Sequence, residues 1–421
     1  MFGATGSLLP IAPSGKRIRA FTLGVNEESL QELKRLLDTL GVEVVESVCA
    51  SVRHIQASTY FGSGKLEECA LKIQAEELDC AVIDVELSPN QLRNLEKALR
   101  VHTLDRAGVI IEIFSQHART KEAKNQVELA RVQYILPRLT HLWDHLDRQR
   151  GGGTGSRGMG EKQMEADRRM LKSHVSHLKT RLKALERVRM TQRGGRRDVL
   201  KVAFVGYTNA GKSTLLNAMT HSNVLAEDKL FATLDSSIRA LDPDCHPPVV
   251  AIDTVGFIEH LPPSLVASFK STLEEIRFAD LLVHVVDASS DRAEQQYRVT
   301  DEILTELGVG ETPRFVVMNK MDAVHSEAEL NWVKTIAPGA IRISALREQD
   351  TERLRERILD HFTAEMELVE IVIPYGEGKL ESQVRSRGRV ETVRFVEKGT
   401  FMRVHMQGEW VRKLNLERYR T

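Results

Sequence analysis

At 421 residues the chain is too long for one ordinary domain, and about 150 residues per domain predicts two or three. With 42% hydrophobic and 28% charged residues it falls outside the disordered and membrane classes, and no run approaches the roughly 20 apolar residues that span a bilayer. The formal net charge of zero hides an asymmetry: residues 117–197 hold 20 lysines and arginines against 8 acids, an excess of +12 that the rest offsets, so one segment is built to meet a polyanion.

In chain order, Met1 to Pro13 lacks the basic and apolar regions of a secretory signal, which places the protein in the cytoplasm. Cys49, Cys69, Cys80 and Cys245 have no CxxC spacing and predict free thiols, with neither a disulfide framework nor a zinc site. From Lys16 to Ser115 strand-like runs (Arg17–Val25, Val42–Ile55, Ala81–Val85) alternate with helical ones (Leu66–Leu78, Leu87–Leu99), the pattern of a parallel sheet covered by helices. Gly62-Ser63-Gly64-Lys65 resembles a phosphate loop but has Thr59 and Leu66 at positions that need Gly and Ser or Thr; it reads as a turn before a helix.

From His117 two long helical stretches flank a glycine-rich tip, Gly151–Gly160. Leu171, Val175, Leu178, Leu182 and Leu185 form one apolar seam, and Val132, Ile135, Leu139, Leu142 and Leu146 form its counterpart, so the arms zip antiparallel with basic faces in water. After Val199 a new strand and helix series begins, with strands expected at Val249–Asp253, Leu281–Asp287, Phe315–Asn319 and Ala340–Ser344; runs at Leu368–Pro374, Val390–Val396 and Phe401–Met406 suggest a small tail domain. The fold class is multidomain α/β: an N-terminal α/β domain (1–116), a long antiparallel helical hairpin (117–197, tip 151–160), a P-loop domain with a Ras-like parallel sheet (198–364), and a small C-terminal α+β domain (365–421).

Gly206-Tyr207-Thr208-Asn209-Ala210-Gly211-Lys212-Ser213, followed by Thr214, matches GxxxxGKS between a strand and a helix. There the backbone amides cradle phosphates, Lys212 adds positive charge at the β and γ phosphates, and Ser213 ligates Mg²⁺. Asp253-Thr254-Val255-Gly256 ends the next buried strand, with Asp253 holding Mg²⁺ through water and the Gly256 amide meeting the γ phosphate. Asn319-Lys320-Met321-Asp322 matches NKxD. Its Asp322 carboxylate accepts guanine N1–H and the exocyclic amino group, a donor pair that adenine lacks, so the pattern selects GTP over ATP. Ser344-Ala345-Leu346 fits the loop whose backbone meets the guanine oxygen. Between these motifs, Phe231, Ala232 and Thr233 are expected to approach the nucleotide, with Thr233 reaching Mg²⁺ and the γ phosphate; Thr220, Ser236 and Ser237 are the alternatives.

The catalytic candidates are thus Lys212, Thr233, Gly256 and Asn209, and the metal candidates Ser213, Thr233 and Asp253. Phe257 stands where Ras-like enzymes carry a water-orienting Gln, which predicts slow intrinsic hydrolysis and a partner that completes the site. Asn209 resembles the asparagine of potassium-activated GTPases, making K⁺ a second candidate cofactor beside Mg²⁺. Two alternative readings are a GTPase acting in subunit assembly or RNA modification, and a GTP-gated RNA-binding module with little hydrolysis of its own.

Over nearly its whole length the sequence resembles the HflX family of ribosome-associated GTPases, in the Obg-HflX superfamily of the TRAFAC class. The resemblance is carried by Leu104-Asp105-Arg106-Ala107-Gly108-Val109-Ile110, Phe114 to Glu122, Gln126 to Ala130, Gly155 to Glu161, Glu165 to Arg169, and the forms GYTNAGKST and LFATLD; Met159 stands where the family has proline. It implies a monomer that associates with the large ribosomal subunit, splits stalled or idle ribosomes under stress, and hydrolyses GTP to GDP when ribosomes stimulate it. It also implies that the hairpin tip meets ribosomal RNA, through Arg150, Gly151, Gly152, Gly153, Arg157, Gly158 and Lys162.

Overall fold

The computed structural model of the protein describes residues 7–10, 16–52, 54–149, 157–194, 199–220, 231, 237–242, 245–259, 275–324 and 330–421, and the backbone alone of 139–149, 157–164 and 189–194. Arg150, Gly151, Gly152, Gly153, Ala232 and Thr233 therefore lie outside the described residues, and Arg157, Gly158 and Lys162 are placed only as helix backbone. The chain forms two compact units. Among the described residues the first holds everything up to Arg189 together with Phe231 and Glu259, and the second holds the remainder.

The first unit begins with a parallel sheet in the order β2-β1-β3-β4: β1 (Arg19–Gly24), β2 (Glu43–Cys49), β3 (Cys80–Ile83) and β4 (His102–Asp105). Helices α1 (Glu27–Thr39), α2 (Ser63–Ala75) and α3 (Pro89–Leu99) supply the crossovers. Local chemistry sets where they start. Asn26 accepts from the amides of Glu28 and Ser29, and Ser88 with Gln91 forms a reciprocal cap ahead of Pro89. Phe21, Leu23, Leu66, Ile73, Ala81, Ile83, Leu95 and Leu99 pack as one core. Gly62-Ser63-Gly64-Lys65 is the opening of α2, with Lys65 ion-paired to Glu68, as a turn before a helix requires.

Three further helices follow: α4 (Arg106–His117), α5 (Lys121–Gln149) and α6 (Arg157–Gly194). At about 1.5 Å per residue α5 reaches about 44 Å. On α6, Leu171, Val175, Leu178, Leu182 and Leu185 are buried or half-buried while Lys172, Lys179, Arg181, Lys183 and Arg187 are exposed, which is the expected seam and its basic face. Pro137 sits inside α5.

In the second unit β5 (Leu200–Gly206), β6 (Ser237–Asp242), β7 (Val249–Asp253), β8 (Leu281–Asp287), β9 (Arg314–Asn319) and β10 (Ile341–Arg342) form a sheet in the order β10-β9-β8-β5-β7-β6. All neighbours run parallel except β6, which pairs antiparallel with β7. Helices α7 (Lys212–Met219), α8 (Ala293–Glu306), α9 (Asn331–Ile336) and α10 (Glu348–Ala364) accompany it. Val202, Phe204, Leu216, Val283, Val317 and Ile358 belong to its largest core. The chain ends in an antiparallel sheet β11-β13-β12, made of β11 (Glu367–Ile373), β12 (Gly388–Val396) and β13 (Gly399–Met406), with α11 (Gly378–Arg387) and α12 (Gly408–Lys413). The parallel strands β5, β7, β8 and β9 all end on the same side of their sheet. In such sheets ligands bind at the carboxyl ends of the strands, and those ends are Gly206, Asp253, Asp287 and Asn319.

Candidate functional site

The loop between β5 and α7 is shaped by two residues with left-handed backbone, Asn209 (φ 60°) and Gly211 (φ 89°). Only glycine serves at 211, because a Cβ there would collide with the amide nitrogen of Asn319. Lys212 is buried; its ammonium donates to the carbonyls of Gly206 (3.1 Å) and Tyr207 (2.8 Å). Burial pulls its pKa down to about 8 although Asp253 opposes the shift. A buried ammonium held by two backbone carbonyls can exchange them for phosphate oxygens, whose charge favours its protonated form.

The loop is tied to the segment after β7. Phe257 N donates to Gly206 O (3.1 Å) and Thr208 N to Phe257 O (2.7 Å), so Tyr207 and Phe257 form a parallel bridge. Gly256 lies directly under this bridge: a Cβ on it would stand 2.8 Å from Thr208 Cα and 3.0 Å from Lys212 Nζ. The Thr208 hydroxyl is buried there without a hydrogen-bond partner among the described residues. Phe257 itself is 2% exposed, so its side chain belongs to the core and cannot orient water. Thr254 directs its hydroxyl into the sheet, onto Phe204 O (2.6 Å). Ser213 Oγ donates to Asp253 Oδ2 at 2.7 Å. This pair of hard oxygen donors beside the Lys212 ammonium fits Mg²⁺, which takes a few protein oxygens and completes its shell with water and phosphate.

The base-recognition side is organised by Asn319, which is buried. Its Nδ2 donates to Ala210 O (2.9 Å) and its Oδ1 accepts from Ala345 N (3.0 Å), joining the phosphate loop to the loop Ser344-Ala345-Leu346. Ser344 N donates to Asp350 (2.9 Å) and Leu346 N to Ser344 Oγ (3.3 Å), while the Leu346 side chain is exposed. Met321 N donates to Ile343 O. Asp322 is exposed, and a hydrogen bond with Ser344 holds its carboxyl below the usual carboxylate range, so it stays an ionised acceptor. Lys320 (φ 60°) pairs with Asp287 at 2.8 Å, and Asp287 also accepts from Ser289 N and Oγ.

Gly206 to Thr214, Asp253 to Gly256, Asn319 to Asp322 and Ser344 to Leu346 thus gather at one edge of the second unit. Phe231 belongs to the first unit, where its ring packs edge-on against Phe114 with centroids 4.7 Å apart. Sequence reasoning missed Asp287 and Asp350, which position Lys320 and Ser344. Asp287 was discoverable as the carboxylate closing a buried strand next to the one that ends in Asn319.

Three family models match the chain: GTP-binding GTPase N-terminal over residues 27–115, GTP-binding GTPase Middle Region over 117–196, and 50S ribosome-binding GTPase over 201–320. The chain is 41% identical over 386 residues to GTPase HflX of Caldanaerobacter subterraneus subsp. tengcongensis, covering 91% of this chain and 89% of that one. It is 43% identical over 368 residues to GTPase HflX of Magnetococcus marinus (87% and 85% covered) and 39% identical over 366 residues to that of Escherichia coli K12 (86% and 86%). Among the described residues no helix is long and apolar enough to cross a membrane.

Proposed function

The chain belongs to the HflX family of GTPases, and from that premise we propose that in its GTP form it binds the large ribosomal subunit and splits stalled or idle ribosomes under stress. The observation that carries the reading is α6: Leu171, Val175, Leu178, Leu182 and Leu185 are buried or half-buried while Lys172, Lys179, Arg181, Lys183 and Arg187 are exposed, within a segment whose excess charge is +12. Shape-led contact with RNA phosphates and 2′-hydroxyls needs such a cationic arm rather than base-reading aromatics. Arg150, Gly151, Gly152, Gly153, Arg157, Gly158 and Lys162 are its proposed RNA contacts. The protein acts as a cytoplasmic monomer that meets ribosomes transiently.

In hydrolysis, water attacks the γ phosphorus and GDP leaves. Lys212 exchanges its carbonyl partners for the β and γ phosphate oxygens, the loop amides hold the phosphates, and the Gly256 amide meets the γ phosphate. Mg²⁺ held by Ser213 and Asp253, with Thr233 as the proposed third ligand, would neutralise phosphate charge. Asn209, exposed on its left-handed turn, is the proposed K⁺ contact. Because the Phe257 side chain is packed away, turnover is slow until the ribosome completes the site.

Co-sedimentation with purified subunits, in a non-hydrolysable GTP analogue and across a salt series, tests the reading. Expected is preference for large subunits, lost with rising salt and lost when residues 151–160 are deleted. Equal binding to both subunits, or full splitting without the tip, would overturn it. Stimulation by ribosomes in K⁺ beyond that in Na⁺ tests Asn209.

A further inference from the structure

Thr208 brings a buried hydroxyl into the phosphate loop, and neither the lysine cradle nor the Mg²⁺ pair uses it. The residue is 6% exposed, and its Oγ1 is buried without a hydrogen-bond partner among the described residues. Two hydroxyls close by are committed: Ser213 Oγ donates to Asp253 Oδ2 (2.7 Å) and Thr254 Oγ1 to Phe204 O (2.6 Å). A hydroxyl offers one donor and two acceptor sites, and burying it unbonded is costly, so such a group points to a role in binding or catalysis.

Its surroundings say which role. Thr208 is fixed through its backbone, the N–H donating to Phe257 O (2.7 Å) beside the Tyr207–Phe257 bridge. Its side chain then stands against Gly256. A Cβ on Gly256 would lie 2.9 Å from Thr208 Cγ2 and 3.0 Å from Lys212 Nζ, so the threonine side chain and the ammonium flank the same point. The hydroxyl shares Cβ with that methyl, so it lies on the same flank or one staggered turn away. Lys212 and the Gly256 amide are the groups assigned to the γ phosphate, and Thr208 is their immediate neighbour. The two side chains are also covered alike: Lys212 is 6% exposed and donates to the carbonyls of Gly206 and Tyr207 in the same loop. A phosphate that draws the ammonium from those carbonyls reaches the threonine as well.

We propose that the Thr208 hydroxyl is a γ-phosphate contact: it donates a hydrogen bond to a γ oxygen beside the one met by the Gly256 amide, and so favours GTP over GDP. The proposal deepens the GTPase reading and needs nothing from the ribosome. Lys212, the loop amides and the Mg²⁺ ligands also serve the β phosphate, which GDP carries; a group that reaches only the γ phosphate is felt by GTP alone. The β-branched side chain has few rotamers, so its hydroxyl is placed before the nucleotide binds. Asn209, the next residue, is exposed on its left-handed turn and does not share this position.

The test measures the affinities of the full-length protein and its Thr208→Val, Thr208→Ala and Thr208→Ser variants for GDP and for a non-hydrolysable GTP analogue. Each is determined with Mg²⁺ and without ribosomes, by equilibrium titration. Valine keeps the branched shape and removes the hydroxyl; serine keeps the hydroxyl and removes the methyl. In Thr208→Val the analogue should bind about 10- to 100-fold more weakly, the range of a hydrogen bond to a charged group, while GDP affinity changes less than about twofold. Thr208→Ser should keep the wild-type ratio of the two affinities. Thr208→Ala should behave as Thr208→Val does, and decides the matter if the valine variant fails to fold. Equal weakening of both nucleotides would mean that the hydroxyl only shapes the loop, and overturns the contact. An unchanged ratio in the valine and alanine variants overturns it too, as does a serine variant as poor as the valine one. Lys212→Met should weaken both nucleotides together; if it left both unchanged the lysine cradle would be wrong, and the Thr208 ratio would still decide the hydroxyl.

Discussion

His284 offers a test of the core beneath the nucleotide site. It lies in the middle of β8, fully buried, stacked on Tyr297 with centroids 4.7 Å apart and planes within 7°. Neither ring nitrogen has a hydrogen-bond partner among the described residues. Burial, aided by the charges of Arg314 and Lys212 and opposed by Asp301, pushes its pKa down to about 3. The folded protein therefore keeps the ring neutral at every pH above about 3, whereas the unfolded chain takes up a proton below 6.5. Stability associated with this residue is complete above pH 6.5 and is lost as pH falls towards 3, by about 1.4 kcal/mol per unit. At pH 5 the loss is about 2 kcal/mol. His284→Phe keeps a flat ring against Tyr297 and removes the titration. Urea unfolding of wild type and variant at pH 8 and pH 5, at fixed nucleotide concentration because bound nucleotide adds its own stability, should show the wild type losing about 2 kcal/mol more than the variant. Equal losses would mean that the ring is protonated or hydrated in the folded state, and the buried, unpaired histidine would be refuted.

Two further outcomes concern the site. Because the Lys212 pKa is about 8 without ligand and phosphates raise it, binding takes up a proton above pH 8: affinity for GDP and GTP should be level from pH 6 to 7.5 and about tenfold weaker at pH 9, checked by equilibrium titration, with Lys212→Met removing the slope. Asp322→Ala should weaken GTP by on the order of 100-fold, as loss of a carboxylate's two hydrogen bonds predicts, and leave ATP binding as weak as before; unchanged GTP affinity would remove the basis for guanine selection.

The site was legible because its chemistry is local. GxxxxGKS, DxxG and NKxD each place backbone amides, a cation or a carboxylate within a few residues, and each stands at a strand end where strand patterning points. The helix α6 was legible for a related reason, since Leu171, Val175, Leu178, Leu182 and Leu185 repeat at helical spacing and are buried or half-buried. Three features were not legible. Helix α4 is buried all round, so it lacks the alternation that marks a surface helix, and Arg106 and Glu112 within it look solvent-facing until Glu32, Asp84 and Ser7 are seen to pair with them. Strand β6 is an edge strand with half-exposed residues and a weak apolar signal. The pairing of Phe231 with Phe114 joins residues far apart in the chain, and only folding brings them together.

Phe257 joins these threads. A residue after DxxG that orients water must be free to point at the γ phosphate; this one is buried and its backbone is bonded on both sides to the phosphate loop. The bridge makes the loop and the segment after β7 a single piece, so whatever moves Gly256 also moves Tyr207 and the carbonyls that hold Lys212. Such a site is built for holding phosphates in a defined cradle rather than for activating water from its own side chains. On the proposed function, the groups that activate water arrive with the ribosome.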